Sequence, residues 1–224
     1  MTAEINQTLL KRYGLPPEEI EALSLRRVGA MLGSSFQGWP EPIKQTIFRM
    51  VYACGDPSMA GQVRIHHVAI EAGIEALRGG RPIVVDVRMV EAGLNHKSLD
   101  NLGCSVMCAI DSVAVTQEAR RLHVTRAASS MISLSPHMDK SIIIIGNAPT
   151  ALLSVLDLVD MQQVKPALII GTPVGFVAAS ESKAELMARH IPFITVEGTR
   201  GGSAIAAAAA NSLIQLASSS DIDR

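Results

Sequence analysis

Three short glycine-containing segments in the last third of the chain are suited to binding an anionic ligand. They are Gly-Asn-Ala-Pro-Thr at 146–150, Gly-Thr-Pro-Val-Gly at 171–175 and Glu-Gly-Thr-Arg-Gly-Gly-Ser at 197–203, and each precedes a helical pattern. The free N–H groups and the positive dipole end of a helix start favour a carboxylate. We therefore predict that these segments hold several carboxylates of one ligand. The predicted binding residues are Gly146, Asn147, Thr150, Gly171, Gly175, Gly201, Gly202 and Ser203. The alternative is that the glycines serve tight turns alone.

Composition and motifs exclude several other kinds of ligand. None of the three segments has the Lys-Ser/Thr ending of a phosphate-binding P-loop or the G-x-G-x-x-G dinucleotide pattern. The chain has 20 basic and 21 acidic residues with no long run of one sign, which argues against nucleic-acid binding. Cys54, Cys104 and Cys108 do not complete a tetrahedral metal site with nearby residues, so we predict no metal.

The sequence also lacks features of membrane insertion or secretion. The longest strongly apolar runs, 141–145 and 204–210, are far shorter than the roughly 20 residues that cross a bilayer. The N-terminal residues have neither the basic start nor the apolar run of a signal peptide. We therefore expect a cytoplasmic protein that does not contact membranes.

The segments must be positioned by the elements around them. Apolar runs at 142–145, 167–170 and 193–196 each lead into a glycine segment and then a helix, which predicts a parallel sheet with right-handed crossovers. Hydrophobic residues make up 48% of the chain but aromatic residues 3%, a composition that suits strands covered by helices. Ligands bind beyond the carboxyl ends of such strands, so the three segments should lie at one edge of the sheet.

We predict an α/β fold in which a mostly parallel sheet is flanked by helices in a single domain, residues 1–224. Residues 1–80 are expected to be mainly helical, residues 81–216 to form strand–turn–helix units, and residues 217–224 to be a disordered tail. Further helices are predicted at 17–32, 42–53, 68–78 and 117–133, and further strands at 83–87 and 104–110.

The glycine segments and their surroundings resemble a known family. Gly-Asn-Ala-Pro-Thr-Ala-Leu at 146–152, Lys-Pro-Ala at 165–167, Gly-Thr-Pro-Val-Gly-Phe-Val-Ala-Ala-Ser-Glu-Ser-Lys at 171–183 and Gly-Gly-Ser-Ala at 201–204 are similar, in order and spacing, to the precorrin-8X methylmutases. Weaker similarity extends to the N-terminal part, including residues 17–24 and 49–55. The resemblance thus covers nearly the whole chain.

The resemblance implies a specific activity and assembly. Members of this family isomerise precorrin-8X, or its cobalt-containing analogue, to hydrogenobyrinic acid or the cobalt counterpart in cobalamin biosynthesis. A methyl group moves between adjacent ring carbons, and no separate cofactor is required. The resemblance further implies a homodimer with corrinoid sites near the subunit interface. It suggests Ser24, Asn95 and Arg126 as substrate-binding residues. The planar guanidinium of Arg126 would bind a carboxylate through two hydrogen bonds. An ordinary helix serine and an exposed helix arginine are the alternatives.

One position departs from the family pattern at the residue that matters most for catalysis. The family's catalytic histidine precedes an Ala-Cys-Gly triplet, and here that position is Tyr52. A phenol, with a pKa near 10, donates a proton less readily at pH 7 than an imidazole does. Three interpretations follow. Tyr52 acts as acid or hydrogen-bond donor; His66 or His67, where the family usually has Ser-Pro, replaces the acid; or the protein binds a corrinoid, or acts on a different tetrapyrrole, without this isomerisation.

Two further charged residues have open roles. Asp86 ends a β-branched run and is expected to be buried, either facing the site or hydrogen-bonded to a neighbouring loop. Lys183 follows the second glycine segment and is expected to add charge at the rim of the pocket or to be solvated.

Overall fold

The protein, described by a computed structural model over residues 14–219, is built around one six-stranded sheet. The strands lie in the order β1-β6-β5-β4-β2-β3. Every neighbouring pair is parallel except β1, which is antiparallel to β6. The strands are β1 Val63–Ile65, β2 Ile83–Val85, β3 Val106–Met107, β4 Ile142–Ile145, β5 Leu168–Gly171 and β6 Phe193–Val196. The predicted single-domain α/β fold with a mostly parallel sheet is confirmed.

Helices cover both faces of the sheet. They are α1 Pro17–Leu32, α2 Glu41–Cys54, α3 Ala69–Arg78, α4 Arg88–Ala92, α5 His96–Asn101, α6 Val113–Leu122, α7 Arg126–Leu134, α8 Pro149–Asp160, α9 Ala179–Met187 and α10 Ser203–Ser218. Buried residues of α1 to α5 and α10 form one hydrophobic cluster with the sheet, and those of α7 to α9 form a second on its other face. None of the helices between residues 14 and 219 is long and apolar enough to span a membrane.

The isoleucine run of β4 shows why these strands are apolar on both sides. Ile142 and Ile144 pack into the first cluster, whereas Ile143 and Ile145 pack into the second, and all four are buried. Successive strand residues point to opposite faces, so a central strand needs apolar side chains at every position. Burying each such side chain contributes about 1.5–3 kcal/mol to folding. The predicted bounds of β4 and β6 are confirmed, and β5 lies one residue beyond its prediction.

The middle of the chain differs from its prediction because the predicted helix is interrupted by a helix end and a new helix cap. The helix predicted at 117–133 is two helices, α6 and α7, separated where His123 adopts a left-handed conformation with φ 54°. The Thr125 hydroxyl accepts a hydrogen bond from the Ala128 N–H at 3.1 Å and caps α7. The strand predicted at 104–110 is reduced to the two residues of β3.

The two ends of the chain relate differently to the predicted boundaries. The first 80 residues are mainly helical within the described range, with β1 as a short strand among the helices. Helix α10 continues through Ser218, so its last residues belong to the segment predicted to be a disordered tail. Residues 220–224 lie outside the described part of the chain.

Candidate ligand site at the carboxyl edge of the sheet

The three glycine segments lie at one edge of the sheet, as predicted. They follow the carboxyl ends of β4, β5 and β6, which are adjacent in the sheet, and are called the first, second and third turns below. Asp86 follows β2, the other neighbour of β4. The chain connections change direction between β2 and β4, because β2 leads to β3 on one side while β4 leads to β5 on the other. Such a switch point is where ligands bind in open α/β sheets.

The first turn already holds a carboxylate that belongs to the protein. Asp86 Oδ1 accepts the Gly146 N–H at 3.0 Å, and Asp86 Oδ2 accepts the Asn147 and Ala148 N–H groups, each at 2.8 Å. Pro149, which opens α8, has no N–H to offer. The backbone N–H groups of Gly146 and Asn147 are therefore not available to a ligand carboxylate in this arrangement, and substrate binding by these two residues stays a prediction. Their donors are used by Asp86, the structural alternative foreseen for that residue.

Asp86 is fully buried in this position. Burial raises the pKa of its carboxyl group, and the three backbone hydrogen bonds oppose that change. Gly146 has a packing role as well: a Cβ atom there would lie 2.7 Å from the Cα of Ser203. The first turn thus brings the start of α10 close to the sheet, while the exposed side chain of Asn147 and the hydroxyl of Thr150 remain at the surface of the edge.

The second and third turns hold each other in place. The Gly202 N–H donates to the Thr172 carbonyl at 2.7 Å, and the Gly175 N–H donates to the Thr199 carbonyl at 3.1 Å. A Cβ atom on Gly201 would lie 2.2 Å from the Thr172 carbonyl oxygen. Gly171 is the last residue of β5 and packs against the Leu186 side chain, so the structure gives it a place in the core and none at the ligand edge.

The third turn leads directly into a helix with an open start. Gly202 precedes α10 with φ 122°, and Ser203 is its first residue. No side chain in the described part of the chain caps the N-terminal N–H groups of this helix. By contrast, α9 begins at Ala179, and three residues separate it from the second turn. Of the predicted anion sites, the start of α10 best matches the expected geometry, since unpaired N–H groups at a long helix favour an anion.

Tyr52 lies near the third turn. It is in the last turn of α2, and the residues that follow that helix are tied to the third turn. Arg200 forms an ion pair with Asp56 at 2.7 Å and donates to the Ser58 hydroxyl at 2.8 Å. The Tyr52 side chain is 46% exposed, and its hydroxyl has no hydrogen-bond partner among residues 14–219. An exposed phenol is thus carried by the end of α2 that is linked to the third turn.

His66 and His67 lie at the opposite edge of the sheet. Because β1 runs antiparallel to β6, Val63 pairs with Val196 at the carboxyl edge, and the chain then crosses to the amino edge. There the His66 N–H donates to the Phe193 carbonyl at 2.9 Å. Burial lowers the pKa of His66, and charge on His67 and His190 lowers it further. The structure does not bring these histidines to the three turns, which argues against either as the replacement acid.

Arg126 lies beside the first turn. It is the first residue of α7, and the preceding Thr125 shares a 2.7 Å hydrogen bond between hydroxyls with Thr150. Its guanidinium is exposed and has no ion pair within the described residues. Arg126 also lines a cleft of about 530 Å³ together with Arg120 and His123. This end of the edge is therefore positively charged and suited to carboxylates.

Ser24 and Asn95 are engaged elsewhere. The Ser24 hydroxyl donates to the Ile20 carbonyl at 2.7 Å within α1. The Asn95 side chain caps α5 by accepting the Ser98 N–H at 3.1 Å, and its backbone N–H donates to Asn211 at 2.8 Å. Asn211 is eight residues beyond the start of α10, about 12 Å along the helix axis. These contacts fix the loop between α4 and α5 and place Asn95 away from the glycine turns, and substrate binding by Asn95 stays a prediction.

Two features of the edge were missed by sequence reasoning. Lys183 is fully buried, and its Nζ donates to the Arg200 carbonyl at 2.5 Å, so the prediction of a rim or solvated lysine is wrong. Large apolar side chains are exposed at the ends of β5 and β2: Phe176 is 94% exposed, Val177 84% and Met89 72%. The unusual Gly-Phe-Val segment after β5 was a signal for this apolar surface, whereas nothing local to Lys183 indicated its burial.

The fold and this edge define an α/β protein with a ligand site at the carboxyl ends of parallel strands. A family model described as precorrin-8X methylmutase matches residues 19–216. The cobalt-precorrin-8 methylmutase of Priestia megaterium is 39% identical over 214 residues, covering 95% of this chain and 94% of that protein. The precorrin-8X methylmutase of Pseudomonas aeruginosa is 40% identical over 182 residues, covering 80% and 87%.

A solved structure agrees with these relatives. The precorrin-8X methylmutase of Thermus thermophilus is 33% identical and superimposes with a TM-score of 0.80, covering 90% of this chain and 98% of that one. The chain belongs to the precorrin-8X methylmutase family, which consists of isomerases of cobalamin biosynthesis. The resemblance predicted from the glycine segments is confirmed, and the matched range includes both Tyr52 and the three turns.

Proposed function

We propose that the protein isomerises precorrin-8X, or its cobalt-containing analogue, by moving a methyl group between adjacent ring carbons. The observation that carries this proposal is the composition of the carboxyl edge. Exposed apolar side chains such as Met89 and Val174 occur there together with the start of α10 and with Arg126, which has no ion pair within residues 14–219. A corrinoid presents broad apolar faces and several peripheral carboxylates. The apolar side chains can cover the ring while the N–H groups and the guanidinium bind the carboxylates.

We assign proton or hydrogen-bond donation to Tyr52. Its hydroxyl has no hydrogen-bond partner among the described residues, and the end of α2 that carries it is linked to the third turn through the Arg200–Asp56 ion pair. His66 and His67 lie at the other edge of the sheet. A phenol O–H can donate a hydrogen bond to a ring nitrogen as the methyl group migrates. The rearrangement is intramolecular, so no oxidant, reductant or methyl donor is needed to balance it.

Replacing Tyr52 with phenylalanine is expected to lower turnover of precorrin-8X by about 10- to 100-fold. The variant loses one hydrogen bond to a charged or polarised group, worth about 1.5–3 kcal/mol. Tyr52→His should retain or raise turnover, because an imidazole has a pKa near neutral. The measurement is the absorbance change as precorrin-8X is converted to hydrogenobyrinic acid.

His67→Ala is the matched control for these variants, since His67 is exposed at the opposite edge and its loss should leave turnover unchanged. Activity in Tyr52→His but not in the native protein would identify a corrinoid-binding protein without isomerase activity. Failure of both proteins to bind hydrogenobyrinic acid would remove the corrinoid assignment. Loss of turnover in His67→Ala would instead restore the histidine alternative.

We further propose that the protein is a homodimer whose second subunit covers the apolar loop around Phe176. This loop has two adjacent large apolar side chains that are almost fully exposed, and their contact with water is unfavourable. The double variant Phe176→Asp, Val177→Asp is expected to sediment and scatter light as a monomer of the 23.8 kDa chain. Met161→Asp, at an exposed apolar residue just after α8, should remain dimeric. A monomeric native protein would contradict the dimer.

A further inference from the structure

Lys183 connects the two faces of the sheet behind the ligand edge. Lys183 belongs to α9, which packs on one face of the sheet. It contacts the third turn, which leads into α10 on the other face. Its Nζ donates to the carbonyl of Arg200 at 2.5 Å, directly before Gly201 and Gly202. The side chain is fully buried, so it lies behind the third turn and away from the solvent in which a ligand arrives.

The ammonium group of Lys183 forms no ion pair with a carboxylate between residues 14 and 219. Burial is the single cause that lowers its pKa, to about 8, so no carboxylate of the described chain acts on it. One of its three N–H donors is used by the Arg200 carbonyl. A buried charge of this kind is costly, and an apolar side chain of similar size would usually be more favourable. An arrangement that costs stability in the free protein suggests a role when a ligand is bound.

A second buried polar group lies at the same turn without a partner. The Thr172 hydroxyl is fully buried and has no hydrogen bond within residues 14–219. Strand alternation puts its side chain on the same face as Ile170, the face that packs against α10. The Thr172 carbonyl accepts the Gly202 N–H at 2.7 Å, so the hydroxyl is next to the start of α10. The third turn therefore gathers donors that have no partner within residues 14–219: the Thr172 hydroxyl, N–H groups at the start of α10, and the N–H groups of the Lys183 ammonium that the Arg200 carbonyl does not use.

We propose that one peripheral carboxylate of the corrinoid binds at the start of α10 beside Thr172, and that Lys183 is a positioning residue whose buried charge this carboxylate compensates. The inference rests on the proposed function and assigns a role within its site. Lys183 does not touch the ligand. It holds the Arg200 carbonyl and with it the third turn, and it makes the electrostatic potential behind the turn positive.

Ligand affinity at this site is expected to depend on pH. In the free protein, Lys183 with a pKa of about 8 is about half protonated at pH 8. A bound carboxylate favours the ammonium form and raises that pKa, so binding takes up a proton and affinity falls as the pH rises above about 8. The other charged groups on the adjoining elements are Asp157 and Asp160 of α8, Glu181 and Glu185 of α9, Glu197, and Arg200. Asp160 pairs with Arg189, Glu197 with Arg64, and Arg200 with Asp56.

The test is titration calorimetry of the full-length native protein with hydrogenobyrinic acid at pH 8, in two buffers of different ionisation enthalpy. The native protein should take up about half a proton per site. Lys183→Met should lose this uptake and bind at least tenfold more weakly at pH 7, while its thermal midpoint without ligand is unchanged or higher. Lys165→Met, at an exposed lysine by the amino edge, should behave as the native protein.

Thr172→Val provides an independent variant if Lys183→Met does not fold, because valine has nearly the shape of threonine. It should fold and bind about tenfold more weakly. Native-like affinity in Thr172→Val, or proton uptake that survives in Lys183→Met, would overturn the proposal. If the native protein binds the ligand without taking up a proton, this inference fails and the proposed function stands. If the native protein does not bind the ligand, both fail.

Discussion

Replacing Gly201 with alanine is expected to lower the free energy of unfolding by about 3 kcal/mol and to abolish corrinoid binding. The new Cβ atom would lie 2.2 Å from the Thr172 carbonyl oxygen and 2.8 Å from that of Pro173. Both are backbone atoms at the end of β5, so no side chain can rotate away. The chain must separate the second and third turns, which breaks the bond from the Gly202 N–H to Thr172.

Alanine substitutions at two other glycines distinguish this steric effect from the effect that replacing any glycine with alanine has on stability. Gly198 has φ +76° but no atom within 4 Å of the position that a Cβ would occupy, so Gly198→Ala should cost the roughly 1–2 kcal/mol of a left-handed residue. Gly61 has open space and no positive φ, so Gly61→Ala should be neutral or slightly stabilising. Urea unfolding of the three variants gives the comparison. An equal loss of unfolding free energy in Gly198→Ala and Gly201→Ala would show that residue 201 does not lie close to the Thr172 carbonyl.

The central strands could be predicted because their burial demands a simple pattern. β4 has four consecutive isoleucines, and a strand covered by helices on both faces requires apolar residues at every position. The glycine segment after each strand then predicts which edge carries the turns. β1 could not be predicted in this way, because it has three residues, two of them at least partly solvent-exposed, and is defined by its antiparallel pairing with β6.

The site could be predicted in its location but not in its chemistry. The sequence places the three turns at one edge, yet it does not show that Asp86, sixty residues before Gly146, fills the first turn. Likewise, Lys183 is flanked by Glu181 and Glu185, a pattern typical of a solvated helix face. Its burial follows from the approach of the third turn, a contact between segments 17 residues apart in sequence. Such contacts are decided by tertiary packing.

Replacing Asp86, whose carboxylate fills the first turn, with asparagine should lower the free energy of unfolding by about 3 kcal/mol. The carboxylate accepts three backbone N–H groups through two oxygens. Asparagine has one acceptor oxygen, and its amide nitrogen would direct N–H groups at backbone donors. At least one buried N–H then loses its partner, and the donor–donor contact pushes the turn away from β2.

Asp100→Asn is the matched control, because Asp100 is exposed on α5 and should lose less than about 0.5 kcal/mol. The loss in Asp86→Asn should also reach the ligand, since the first turn bears Thr150, which bonds the residue before Arg126. We therefore expect weaker binding of hydrogenobyrinic acid by Asp86→Asn at temperatures where the variant remains folded, measured by calorimetry beside urea unfolding. Native stability in Asp86→Asn would mean that the N–H groups of the first turn do not depend on a carboxylate, and that they are free to bind one from the substrate.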